Sequence, residues 1–151
     1  MRTIDDEIRF HLTKHGWHLG DTEIEISDSV YGVEVHTAYL DGAHMAAASN
    51  GKIFISHALA RYASLPQRRL VILHELAHIH LNTEGMSNYA KEFACDAWAL
   101  KEMMRSGEYN DHEHFDAIMV FGEVINEPDT NTHPSSKSRF KRLYNILRRG
   151  L

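Results

Sequence analysis

The chain has 151 residues, 43% of them hydrophobic, a formal net charge of −5 and a single cysteine. This length suits one compact core, so we predict a single domain over residues 1–151, and the negative charge argues against a general nucleic-acid binder. No apolar run approaches the roughly 20 residues of a membrane span, and the acidic N-terminus lacks a signal-peptide core. We therefore expect a protein that is not bound to a membrane. Its single cysteine, Cys95, cannot form an internal disulfide, which fits the reducing cytoplasm in which we expect the protein to work.

The N-terminal part of the chain predicts one helix followed by a sheet. Thr3 as an N-cap, acidic residues in the first turn and Gly16 as a stop indicate an amphipathic helix. Strands are predicted at 23–26, 30–40, 43–48 and 52–56, with turn signals between them that include Asp41-Gly42 and Asn50-Gly51. Because such dipeptides suit tight hairpins, we expect an antiparallel meander.

The C-terminal part predicts helices. A short helix at 56–64 precedes Pro66, which suits the first turn of the next helix. Further helices are predicted at 88–106, closed by Gly107, at about 111–126 and at 134–149. The predicted fold class is therefore α+β, with a small antiparallel or mixed sheet packed on the helix that starts near Pro66 and a helical C-terminal half.

This central helix carries the motif His74-Glu75-Leu76-Ala77-His78 within an otherwise apolar stretch. Residues four apart lie one above the other on a helix, so His74 and His78 can present two imidazoles to one metal ion, with Glu75 beside them. The motif is typical of zinc-dependent hydrolases, and we predict one Zn²⁺ per chain. The alternative is a helix whose polar side chains form hydrogen bonds to a neighbouring element.

The next predicted helix carries Glu92 and Asp96, four residues apart on one face. A catalytic zinc ion usually has three protein ligands and one water, so Glu92 can complete a set with His74 and His78. Asp96 can then accept the free ring N–H of a ligand histidine and fix its orientation. Two alternatives stay open: the two acids face solvent on an amphipathic helix, or Glu84 is the third ligand in place of Glu92.

The motif His-Glu-x-x-His, followed by Glu-x-x-x-Asp on the next helix, resembles the gluzincin, or thermolysin-like, zinc metallopeptidases. Residues 50–60 resemble the strand and helix before the zinc helix in CAAX-type prenyl endopeptidases and their bacterial heat-shock relatives. Thr132-His133-Pro134, with Arg139 and Leu143, resembles the His-Pro segment of those families. Lit-type phage-exclusion peptidases show a looser resemblance. The likeness covers about residues 45–147, and the chain departs from it in a short His78-to-Glu92 spacing and in lacking transmembrane helices.

The resemblance implies an endopeptidase that acts on a protein or peptide substrate. Glu75 would take a proton from the attacking water and deliver it to the leaving amine. A donor to the developing oxyanion is also expected, and the resemblance makes His133 the candidate, with Arg139 as a supporting or alternative cation. The alternative for His133 is an N-cap or a surface-loop histidine.

The resemblance also suggests where a substrate would bind. Thermolysin-like folds lay an extended substrate along a sheet edge beside the zinc helix, and strand addition needs no particular side chain. Ala46, Ala47 and Ala48 are the candidate edge, because small side chains would let a peptide backbone approach. Close packing of the sheet on the helix would select small residues for the same steric reason, and this alternative stays open.

The last predicted helix, at 134–149, is basic and amphipathic. Its apolar face would dock on the core, or the helix could bind an acidic partner or nucleic acid. For the whole chain, we expect a zinc endopeptidase that is narrow in substrate or regulated. The competing hypothesis is a non-catalytic partner-binding protein or toxin-system regulator on the same zincin-like fold.

Overall fold

The protein forms a small sheet followed by helices, and the computed structural model describes residues 25–30, 32–38, 46–49, 51–131 and 133–150. The strands are β1 (Glu25–Val30), β2 (Val33–Ala38), β3 (Ala46–Ser49) and β4 (Lys52–Ser56). The helices are α1 (His57–Tyr62), α2 (Leu65–His80), α3 (Asn88–Ser106), α4 (Asp111–Ile118), α5 (Val120–Glu123) and α6 (Ser136–Arg149). The predicted α+β class is confirmed, whereas the predicted N-terminal helix and the Asp41-Gly42 turn lie outside the described residues.

The four described strands form a mixed sheet in the order β1-β2-β4-β3. β1 and β2 are antiparallel, β3 and β4 are antiparallel, but β2 and β4 run parallel, with Val35 opposite Ile53. The predicted antiparallel meander is therefore wrong. The tight turn at Asn50-Gly51 does join a hairpin, with Gly51 at φ +72°. That hairpin inserts β4 beside β2, however, and leaves β3 at the edge, an order that local turn signals cannot reveal.

The first hairpin also differs from the prediction. The sequence predicts separate strands at 23–26 and 30–40, but the described chain continues as one strand from Glu25 to Val30 and turns at Gly32, where φ is +78°. The register shifts between Ile26 and Asp28, which marks an irregular pairing or bulge. A bulge inserts an extra residue into one strand of a pair and bends that strand locally.

Helix α2 lies at the centre of the fold and begins as the sequence predicts. The side chain of Ser64 accepts the backbone N–H of Gln67, the Gln67 side chain accepts the N–H of Ser64, and Pro66 lies in the first turn. This reciprocal cap satisfies two backbone donors that would otherwise lack partners. The helix packs against the sheet, α3 and α4. Its buried apolar residues are Leu70, Val71, Ile72, Leu73, Leu76 and Ala77.

The predicted helix at 111–126 is interrupted. Phe121 has ψ 96° and Gly122 has φ +125° and ψ −43°, neither of which is helical. A side chain at Gly122 would be strained whatever space surrounds it, so glycine permits the break. The break lies inside the short segment Val120–Glu123, so α5 does not continue α4 as one regular helix.

Helix α6 docks its apolar face on the core. Leu143 is fully buried, and Phe140, Ile146 and Leu147 pack around the core cluster. Its N-cap is Ser135, so the helix starts two residues after Pro134. None of the described helices is both long enough and apolar enough to cross a bilayer.

Candidate active site

Three side chains that the sequence proposes as metal ligands converge in the structure. His74 Nε2 lies 3.1 Å from His78 Nε2 and 3.3 Å from Glu92 Oε2, and His78 Nε2 lies 3.1 Å from Glu92 Oε1. Zinc bonds of about 2.0–2.1 Å in tetrahedral geometry separate neighbouring ligand atoms by about 3.3 Å. Within the described residues, these three form the only group of His, Cys, Asp or Glu close enough to hold a metal ion. The donor set therefore fits one zinc ion.

The convergence follows from how α2 and α3 pack. His74 and His78 are one turn apart on α2, so their rings lie on one face of that helix. Glu92 lies in the first turns of α3, which packs along α2. His74 is buried, whereas 30% of the His78 side chain is exposed. We call His74, His78 and Glu92, the three candidate metal ligands, the metal group. This group is thus buried on one side and open to solvent on the other.

Asp96 fixes the orientation of His74. His74 Nδ1–H donates to Asp96 Oδ1 at 2.7 Å, which leaves Nε2 facing the other donors. Arg139 donates to both oxygens of Asp96, from Nε at 2.8 Å and from Nη2 at 2.7 Å. All three groups are buried, and a carboxylate behind a ligand histidine is the usual partner of a zinc-bound imidazole.

The contacts of Arg139 differ from those expected of a cation that stabilises the oxyanion. Its guanidinium is engaged by Asp96, lies 3.7 Å from Glu92 and stacks over the ring of Phe121 at 4.3 Å. Although Arg139 also lines the cleft, its donors are directed to carboxylates of the protein. These contacts favour a positioning role for Arg139, holding Asp96 behind His74.

Ionisation of the metal-free site follows from these contacts. Burial opposes protonation of His74, but the charge and hydrogen bond of Asp96, together with Glu92, raise its pKa to about 10. Burial alone would raise the pKa of Glu92, but hydrogen bonds from His74 and His78 hold that pKa well below its usual range. Burial would likewise raise the pKa of Asp96, and its bonds to Arg139 and His74 lower it. Both acids are therefore anionic.

Glu75 lies beside the metal group in the same cleft. Burial raises the pKa of its carboxyl above the ordinary value, while the neighbouring histidines oppose that shift and Glu92 adds to it. A carboxylate with a raised pKa is a better proton acceptor near neutral pH than an exposed one. The placement and the pKa both suit a general base.

The metal group opens into a cleft of about 470 Å³, within the size range of small-molecule and peptide sites. Ala46 on edge strand β3 lines it, as does His133 on the loop before α6. His133 is exposed and does not cap α6, because Ser135 does so. The remaining lining residues are Leu70, Val71, His74, Glu75, Glu92, Asp96, Phe121, Ile125, Glu127, Pro128, Thr130 and Arg139.

The remaining candidate residues do not belong to the group that could hold a metal ion. Ala47 and Ala48 pair with Phe54 and Ile53 within the β3–β4 hairpin and are not among the cleft-lining residues. Glu84 is exposed on the loop between α2 and α3 and is not part of the metal group. Cys95 is buried, and burial, followed by the charges of nearby acids, raises its pKa to about 12. Cys95 does not belong to the group of side chains close enough to hold a metal ion.

Several cleft residues are not identified by sequence patterns. Phe121, Ile125, Glu127, Pro128 and Thr130 all come from the segment after α4. Their placement depends on the backbone break at Gly122, which a helical pattern conceals. A glycine inside a predicted helix is the one local signal that indicates such a break.

No protein-family model, curated protein or solved structure matches the chain. The chemistry available at the site follows from its residues. Two imidazoles and one carboxylate converge on a point, a second carboxylate with raised pKa lies beside them, and the cleft around them is open to solvent. Nitrogen donors with a carboxylate suit zinc better than they suit magnesium or calcium, which prefer all-oxygen sets.

Proposed function

We propose that this protein is a zinc-dependent endopeptidase. The observation that carries the proposal is the convergence of His74, His78 and Glu92 at 3.1–3.3 Å, with Glu75 in the same cleft. Three protein ligands leave one position for water, as in hydrolytic zinc sites, whereas structural zinc sites have four protein ligands. A purely structural site would also have no use for a carboxylate such as Glu75.

Each residue of the cleft has a distinct task in this proposal. Zinc, when bound, supplies Lewis acidity that makes water a stronger acid and polarises a carbonyl oxygen. Glu75 accepts the proton of the attacking water and returns it to the leaving amine, a role that its raised pKa supports. His133 is the candidate donor to the oxygen that becomes negative, because it lines the cleft and is exposed to an entering substrate.

The proposed substrate is a segment of protein or peptide bound in extended form. β3 is the edge of the described sheet, packs beside α2 and places Ala46 at the cleft. An added strand could form main-chain hydrogen bonds there, while Leu70, Val71 and Phe121 give the cleft an apolar wall. We also propose that the enzyme is narrow in substrate or regulated, and that it works in the cytoplasm, where a free Cys95 is compatible with a reducing environment.

The proposal is tested by hydrolysis of a complex peptide mixture, with products identified by mass spectrometry. Zinc-loaded wild type is expected to cut a limited set of peptides, and Glu75→Gln, loaded with equal zinc, to lose at least about a hundredfold in rate. Equal turnover in Glu75→Gln would overturn the role of the base. No zinc-dependent cleavage by the wild type would instead favour the non-catalytic, partner-binding alternative.

A further inference from the structure

The loop between α5 and α6 forms one wall of the cleft, and its backbone is held in place. The N–H of Glu127 donates to Ser136 Oγ and the N–H of Ser136 donates to the Glu127 carbonyl, both at 2.9 Å. Thr130 and His133 exchange main-chain and side-chain hydrogen bonds, and the Tyr89 hydroxyl donates to the Thr130 carbonyl. A wall fixed in this way can present its side chains without a large ordering cost on binding.

Four carboxylates line the cleft, and three of them already have a partner or a task. Asp96 is paired with Arg139, Glu92 belongs to the metal group, and Glu75 lies beside that group as the candidate base. The fourth is Glu127. In the part of the chain that the structure describes, its side chain forms no hydrogen bond or ion pair, and its charge affects Arg139 less than the charges of Asp96 and Glu92 do.

The surroundings make this unpaired charge selective. Glu127 is half-buried and shares the cleft wall with Ile125, Pro128 and Phe121. A carboxylate beside apolar surface attracts an opposite charge more strongly than one in bulk water. A substrate that covered it without offering a partner would bury a carboxylate that has no direct hydrogen bond or ion pair within the described part of the chain, which is costly. Cationic ligands are thus favoured, and neutral or acidic ones are disfavoured.

We propose that Glu127 is a specificity residue that binds a cationic nitrogen of the substrate, supplied by a lysine or arginine side chain or by a free α-amino group. This inference rests on the proposed function, because it assumes that a peptide occupies the cleft. Glu127 would thus make the cleft prefer positively charged groups, in addition to the apolar groups that its wall already favours. Glu127 is not one of the three candidate metal ligands, so its substitution leaves that ligand set in place.

The test measures binding rather than turnover, in the zinc-loaded Glu75→Gln protein. Probes are N-acetylated Leu/Ala hexapeptides in which one lysine occupies each position in turn, matched to peptides with norleucine at that position. A further pair differs only in a free or acetylated N-terminus. At least one lysine position, or the free amine, is expected to bind about tenfold more tightly than its neutral match.

Three additional substitutions identify the source of that preference. Adding Glu127→Gln should remove it, and adding Glu127→Lys should reverse it in favour of peptides with glutamate, which a merely structural residue would not do. Glu108→Gln is the matched control, because Glu108 is exposed, pairs with Arg69 and does not line the cleft. It should leave the preference unchanged. A preference for lysine alone or for the free amine alone identifies which nitrogen is bound.

The inference is overturned if lysine and norleucine peptides bind equally, if no peptide binds, or if the preference survives Glu127→Gln. These outcomes are separate from the fate of the endopeptidase proposal. Cleavage by the wild type without a Glu127-dependent preference would refute the specificity role alone. A Glu127-dependent preference in a protein that cleaves nothing would support the cation site and refute the hydrolytic activity.

Discussion

His74 and Asp96 are joined by a buried hydrogen bond of 2.7 Å between the ring Nδ1 and a carboxylate oxygen. The bond connects α2 to α3 and determines which nitrogen of His74 faces the candidate metal position. Because Asp96 also receives two bonds from Arg139, its charge is compensated without a proton on its own carboxyl group. Asp96 and Arg139 therefore hold His74 in position from the side opposite the candidate metal position, and neither needs to touch a substrate for this.

Asp96→Asn should weaken zinc binding by about 10- to 100-fold without changing the ligand set, because the amide no longer provides a charged acceptor for the His74 N–H. Competition with a chelator of known zinc affinity measures this effect. Asp111→Asn, at an exposed position on α4, is the matched control and should bind zinc like the wild type. Equal zinc affinity in both variants would show that Asp96 does not support the site.

Arg139→Ala should destabilise the fold by about 3–5 kcal/mol, because it leaves the buried Asp96 carboxylate without its bidentate partner. Urea unfolding of the metal-free protein measures the change. Arg148→Ala removes the same side chain from an exposed position on the same helix and should change stability by less than about 0.5 kcal/mol. Similar losses in the two variants would contradict the contacts described for Arg139.

Gly122→Ala should destabilise the protein by about 1–3 kcal/mol, even though a Cβ there would meet nothing within 4 Å. The cause is the backbone, since φ +125° with ψ −43° is a conformation that L-residues rarely adopt. Gly85→Ala, at φ +82° on an exposed loop, should cost less, about 1 kcal/mol. Thermal unfolding of both variants compares them, and an equal or smaller loss at Gly122 would argue against the described break.

Zinc binding at pH 8 should release about one proton from His74. The metal-free protein raises the pKa of His74 from 6.5 to about 10, so the ring carries its second proton at pH 8 and must lose it to bind metal. Zinc affinity should accordingly increase as the pH rises towards about 10. Calorimetry in buffers of different ionisation enthalpy counts the released protons. A release of none at pH 8 would contradict the raised pKa.

The raised pKa of His74 also makes the stability of the metal-free protein depend on pH. A histidine whose pKa is higher in the folded than in the unfolded chain stabilises the fold below the unfolded value of 6.5, and this contribution is lost as pH rises towards 10. The zinc-bound protein cannot lose stability in this way, because the proton has already left. Metal-free and zinc-loaded samples should thus differ most in stability at the alkaline end of this range.

The proximity of His74, His78 and Glu92 could be expected from the sequence because the information that brings them together is local. His74 and His78 share one helix face, Glu92 and Asp96 share another, and two adjacent helices can bring those faces together. The order of the strands is not local. The parallel pairing of Val35 with Ile53 joins strands separated by a third one, and nothing in the turn residues specifies it.

The cleft wall also depends on long-range structure. Glu127 is held in position by hydrogen bonds between its backbone and Ser136, nine residues away. It also follows the helix break at Gly122. The contacts of Arg139 could not be predicted from the sequence either. Its position after the His133-Pro134 segment can be recognised in the sequence, but its partners cannot. Only the packing of α6 against α3 reveals that its guanidinium binds Asp96.

The most direct test of the central claim is the zinc content of the purified protein, measured by mass spectrometry after incubation with zinc and removal of the excess. If the proposed centre is right, we expect about one zinc per chain in the wild type, retained in Glu84→Ala and lost in both His78→Ala and Glu92→Ala. Circular dichroism confirms that each variant is folded. A wild type that takes up no zinc, or a Glu92→Ala protein that retains it while Glu84→Ala loses it, would contradict the proposed centre.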